Sequence, residues 1–226
     1  MADRPACLFS RPFDPIGRIE RLLSPKGASR ALRACLVVAF GVLLIHRASE
    51  YRTYSWKPLW VVETLVFVVF VVSYAVRSDP VERSRGVREI VVPLIGAALP
   101  FTLLLAPVPS WMARDAAILR IVFSWMTAST AFTLWGLWTL RRSFSITVEA
   151  RGLVTGGPYA WVRHPVYAGE IAAAAGVAAW RLSAVNILIF LAFVVVQLVR
   201  SRTEEEKLTR VLPGYGAYLR RARWFW

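Results

Sequence analysis

The sequence predicts an all-α fold: a polytopic helical membrane protein of about five to six transmembrane helices. Three observations predict it. Hydrophobic residues make up 57% of 226 residues, with positive mean hydropathy and ten Trp, too apolar for an ordinary soluble domain of this size. Apolar runs long enough to cross or nearly cross about 30 Å of hydrocarbon recur along the chain. The Arg residues behind a net charge of +14 fall in blocks between those runs, as in the cytoplasmic loops of membrane proteins.

Residues 1–30 read as a retained cytoplasmic tail, rich in Arg and Pro, without the short apolar core and small-residue cleavage site of a leader. Within it, residues 16–23 suit a short amphipathic surface helix, confined by Pro12, Pro15 and Pro25. Four spans follow at 31–45, 59–76, 90–108 and 116–140, filling a region of four transmembrane helices over 31–140. A last apolar stretch, 166–199, is interrupted at Arg181, Leu182 and Ser183, which predicts a tight helical hairpin. Arg77, Arg83, Arg85 and Arg88, then Arg141, Arg142, Arg151 and Arg163, then residues 200–223, assign three positive segments to the cytoplasm with both termini. Arg47, Arg52 and Lys57 run against that assignment, being positive on the side left outside.

Several function classes are excluded or demoted. The charge pattern belongs to membrane loops, so no nucleic-acid partner is expected. Cys7 and Cys35 have no Cys-x-x-Cys spacing, and no metal site is expected. No Gly-x-Gly-x-x-Gly follows a strand pattern, which argues against a Rossmann nucleotide site. Glu63 and Arg120 are charges within apolar runs, each close enough to a span end to snorkel.

The chemistry-bearing residues collect in residues 141–226, on the two stretches flanking the hairpin. Arg163-His164-Pro165 stands before an apolar run, and Pro at a first helical position leaves free N–H groups and a positive dipole end pointing outward. That arrangement suits an anion, or equally a basic membrane stop. After the hairpin, Arg202 and Glu206 lie four apart and share a helix face, with Glu205 nearly so. The plainer alternative is a solvated collar of ion pairs worth a few tenths of a kcal/mol each, on the order found for exposed pairs. A hairpin brings its two ends together, so both stretches form one composite site.

Over residues 143–218 the chain resembles the isoprenylcysteine carboxyl methyltransferases, integral membrane enzymes that use S-adenosylmethionine. The ordered set carries the resemblance: Leu153-Val154-Thr155, Gly157-Pro158-Tyr159, Arg163-His164-Pro165 with Tyr167 and Gly169, Arg202-Thr203-Glu204-Glu205-Glu206 with Leu208, then Tyr215 and Tyr218. Membrane phospholipid N-methyltransferases and sterol reductases share parts of it. The resemblance implies a cytoplasmic pocket for S-adenosylmethionine around the last hairpin, with Leu153, Val154, Tyr159, His164, Pro165 and Tyr167 contacting the cofactor. It also implies Arg202 at the substrate and Glu206 near the reacting methyl group, with Glu205 beside it. Two departures stand out: Arg151 followed by Gly152 occupies a cofactor-facing position where many members carry His, and Leu212-Pro213-Gly214 replaces a common Phe-Gly.

The expected activity is S-adenosylmethionine-dependent carboxyl O-methylation of an isoprenylcysteine-like or other lipophilic substrate that enters from the bilayer. A phospholipid amine or a small thiol is the alternative acceptor, and a non-catalytic membrane scaffold the alternative class. The short loops favour a prokaryotic plasma membrane.

Overall fold

A computed structural model describes residues 25–76 and 78–223, with side chains from residue 33; the tail with its 16–23 segment lies outside these residues. The described chain is helical, without an extended strand: α1 (Pro25–Ser49), α2 (Lys57–Val76), α3 (Gly86–Thr102), α4 (Ser110–Arg114), α5 (Ala116–Leu140), α6 (Pro165–Trp180), α7 (Ala184–Val211) and α8 (Tyr215–Arg221). Five of them, α1, α2, α3, α5 and α7, are long and apolar enough to cross a membrane. Their outer faces carry exposed Ile45, Phe101, Ile121 and Leu188, a surface suited to lipid rather than water.

The hairpin forms as expected, with residues 181–183 between α6 and α7. Ser183 caps α7 by accepting from the Asn186 N–H. The two arms are unequal. At 16 residues, α6 is about 24 Å long, less than a full hydrocarbon thickness. At 28 residues, α7 is about 42 Å long, so its charged last turns run past the apolar layer.

Helix neighbours do not follow chain order. α2 packs against α1 and α5, α5 against α6, α6 against α7, and α7 against α3. Small residues make the α5–α6 contact close: a Cβ on Gly169 would lie 2.2 Å from Thr133 Oγ1 and 3.0 Å from the Ser129 carbonyl. At one end of the bundle Arg33 pairs with Asp79, Ser78 Oγ donates to the Arg142 carbonyl, and Glu82 bridges to Ala150. At the other end Arg181 donates to the Ala106 carbonyl and Asn186 Nδ2 to the Leu103 carbonyl.

Glu63 is explained at this second end. It pairs with Arg47 and accepts from Tyr54 Oη at 3.0 Å. Its partner is therefore Arg47, in the last turn of α1, rather than Arg120. Arg47 also pairs with Glu50, and Lys57 lies over the Tyr51 ring, so two of the unexpected positive charges are engaged within the protein.

Candidate active site

The segment joining α5 to α6 crosses the first end of the bundle and is pinned along its length. The Val148 N–H donates to the Glu89 carbonyl, and Ser84 Oγ to the Val148 carbonyl. Lys207 holds it from α7: only 1% exposed, its ammonium donates to Glu89 at 2.7 Å and to the Arg83 and Val148 carbonyls. Gly157, at φ +56°, then turns the chain against α5, where a Cβ would meet Thr139 Oγ1 at 2.8 Å.

His164 follows as the N-cap of α6, 5% exposed, and its side chain makes no capping hydrogen bond. Its ring faces α7 instead. Nε2 lies 3.0 Å from Glu205 Oε1, and Nδ1 lies 3.9 Å from Glu204 Oε2. A carboxylate only accepts, so with Glu205 ionised the proton of that contact sits on Nε2. The Tyr167 ring stacks on His164 at 5.5 Å, and its hydroxyl donates to Glu204 at 2.9 Å. Two carboxylates thus face the positive start of α6, where a helix dipole favours negative charge.

Arg163 is engaged mainly by backbone carbonyls. Its Nε donates to the Ala222 carbonyl at 2.8 Å, one terminal nitrogen to the Leu219 carbonyl at 2.6 Å, and the other approaches Glu205 at 3.3 Å. It straps α8 onto the site. Tyr218 adds a second strap, donating to the carbonyl of buried Tyr159 at 2.8 Å. Burial pushes the Tyr218 hydroxyl up to about 12, against a lowering by Arg163, and pushes Tyr159 well above the usual phenol value. Both stay protonated at neutral pH.

The sequence-derived residues divide. His164, Tyr167, Glu205 and Tyr159 lie in this linked cluster, with Pro165 buried at the helix start. Leu153 and Val154 sit on the crossing segment, Leu153 being 37% exposed. Arg151 is buried and pairs with Glu149. Arg202 and Glu206 are exposed on α7, and Glu206 lines a groove with Arg85, Arg88 and Arg210. Glu170 and Gln197 escaped the reading of the sequence. Their signal was present as a carboxylate and an amide inside the apolar stretch 166–199, where polar groups are costly and usually functional.

Fold and site together define a helical integral membrane protein with a carboxylate-rich polar site at one end of its bundle. Residues 115–214 match the model of a family described as phospholipid methyltransferase. No curated protein and no solved structure matches the chain significantly. The matched segment runs from the N-cap of α5 through α7 and includes the whole His164–Glu205 cluster, stopping before Tyr215 and Tyr218. This family is one of membrane methyltransferases, related to the isoprenylcysteine carboxyl methyltransferases of the sequence resemblance. The similarity supports methyl transfer at a membrane and leaves the acceptor undetermined.

Proposed function

We propose that the protein is an S-adenosylmethionine-dependent methyltransferase whose lipid acceptor arrives from the bilayer. The observation that carries this is the His164–Tyr167–Glu204–Glu205 cluster, lying within the segment similar to membrane methyltransferases and at the end of apolar helices. The cofactor supplies an activated methyl group on a sulfonium. The residues present fit it. Arg151 keeps its buried Nε and one terminal nitrogen without a partner among the described residues, donor capacity that suits a carboxylate. Glu204 and Glu205 beside the Tyr167 ring suit a cation, and Leu153 and Val154 offer apolar surface to an adenine.

Two acceptors fit this reading. An isoprenylcysteine carboxylate is already ionised at neutral pH and needs orientation more than proton chemistry, which is the role the resemblance gives to Arg202. The exposed position of Arg202 favours the second, a phospholipid amine, as does the name of the matching family. Labelled-methyl transfer from S-adenosylmethionine to phosphatidylethanolamine, farnesylcysteine and small thiols tests this. We expect label in the phospholipid, in a product that releases no methanol in alkali; transfer to none of them, with no calorimetric binding of S-adenosylhomocysteine, removes the enzyme reading.

A further inference from the structure

Below the His164 layer lies a second polar cluster whose members are not equally satisfied. Glu170 is six residues beyond His164, about 9 Å along α6 towards the apolar middle. Gln197, fully buried on α7, donates to Glu170 Oε2 at 2.5 Å and accepts from Arg200 at 2.7 Å. The Arg200 guanidinium stands 3.9 Å from the same carboxylate oxygen and 4.7 Å from the centre of the Tyr167 ring. Through Tyr167 and its bond to Glu204, the cluster connects to the candidate active site.

What separates it from a structural staple is its spare capacity. Lys207, the other buried cation of α7, is 1% exposed and donates to three acceptors, a closed arrangement. Glu170 keeps 35% of its side-chain surface open, and its Oε1 has no hydrogen-bond partner among the described residues. Arg200 is 5% exposed, yet among the described residues its Nε is without a hydrogen-bond partner and its remaining terminal nitrogen reaches only the Ile146 carbonyl at 3.4 Å. An open carboxylate and an under-used guanidinium, side by side at membrane depth, complement a zwitterion.

We propose that Glu170, Gln197 and Arg200 form the acceptor head-group site, binding a phospholipid ammonium at Glu170 Oε1 with its phosphate towards Arg200. Its meaning as an acceptor site rests on the methyltransferase reading. Gln197 orients Glu170 and leaves one oxygen for the ligand. A carboxylate acceptor would meet the negative charge of Glu170, so the site selects amines.

The test uses purified wild-type protein in detergent, labelled with dicyclohexylcarbodiimide and read by mass spectrometry at Glu170. Short-chain phosphatidylethanolamine should suppress labelling about tenfold, the scale of one charge-assisted contact, while matched phosphatidylglycerol should not. Equal protection by both lipids, or protection by neither, overturns the proposal. In parallel, E170Q should lose roughly tenfold or more in phosphatidylethanolamine affinity and keep wild-type affinity for S-adenosylhomocysteine. An E170Q protein that binds the lipid as wild type does also overturns it. Should E170Q not fold, the wild-type labelling decides. Failure of the wild type to bind S-adenosylhomocysteine sinks the methyltransferase reading alone, since lipid protection of Glu170 is scored without cofactor.

Discussion

At the scale of single residues, the site is a set of charge-assisted hydrogen bonds with few redundant partners. Glu205 is held by His164 and Arg163 together. Replacing it with Gln removes the charge but keeps the shape, and bonds to charged groups are worth about 1.5–3 kcal/mol. Glu205→Gln is therefore expected to lower the thermal midpoint, through its bonds to His164 and Arg163, and to weaken S-adenosylmethionine binding roughly tenfold by calorimetry. Unchanged affinity would remove Glu205 from the pocket. Tyr218 gives a prediction of a different kind. Its folded-state value of about 12 lies above the ordinary phenol value near 10. A raised acid stabilises the fold fully below its unfolded value, and that contribution is lost as pH rises through the folded one. Denaturant stability should fall between about pH 10 and 12, and Tyr218→Phe should flatten that fall. The same variant leaves the Tyr159 carbonyl without its donor and should cost about 1–3 kcal/mol at neutral pH.

Between secondary elements, close packing and one buried lysine hold the site in place. Gly169 lets α6 approach α5, with no room for a Cβ beside Thr133 and Ser129. Gly169→Val should cost about 1–3 kcal/mol or more by overpacking, seen as a lower thermal midpoint in detergent. Lys207→Met strips the crossing segment of its anchor and leaves Glu89 without its ammonium, so hydrogen exchange across residues 144–150 should rise; wild-type protection there would deny the anchor. These elements also show what the sequence made legible. The spans of α2 and α5 and the hairpin break at 181–183 were readable because apolar runs and their interruptions mark membrane helices directly. Hairpin geometry implied that the two flanking stretches meet, but the particular contact of His164 with Glu205 was not readable from spacing. The packing of α3 on α7 and the strapping of α8 by Arg163 were not readable, since neither neighbour choice nor backbone-carbonyl contacts leave a periodic trace. Arg202 and Glu206 share a face as their spacing requires, but spacing alone does not say which face turns towards the site.

For the molecule as a whole, the distribution of engaged and exposed charge predicts its orientation in the bilayer. At the site end, Arg85, Arg88, Arg141, Arg142 and Arg202 are exposed or nearly so. At the opposite end Arg47 is bound to Glu50 and Glu63, Lys57 to the Tyr51 carbonyl, and Arg181 to the Ala106 carbonyl. Arg52, Arg114 and Arg120 are exposed at that opposite end, but Arg220 and Arg221 add to the site end, so the larger exposed positive charge is there, and the positive-inside bias predicts that the site end faces the cytoplasm. The hairpin turn is tied to the other end through Asn186 and the Leu103 carbonyl, which predicts that α6, about 24 Å long, crosses with local thinning of the bilayer. Single cysteines in a background lacking Cys7 and Cys35 test both points. Gly216 has open space beside it, Ser110 is exposed and Leu182 is 45% exposed, so each accepts the substitution. In intact cells a membrane-impermeant maleimide should label Ser110→Cys and Leu182→Cys, and reach Gly216→Cys only after permeabilisation. The reverse pattern would invert the orientation, and a Leu182→Cys that behaves like Gly216→Cys would make the hairpin re-entrant, opening the site from one side of the bilayer alone.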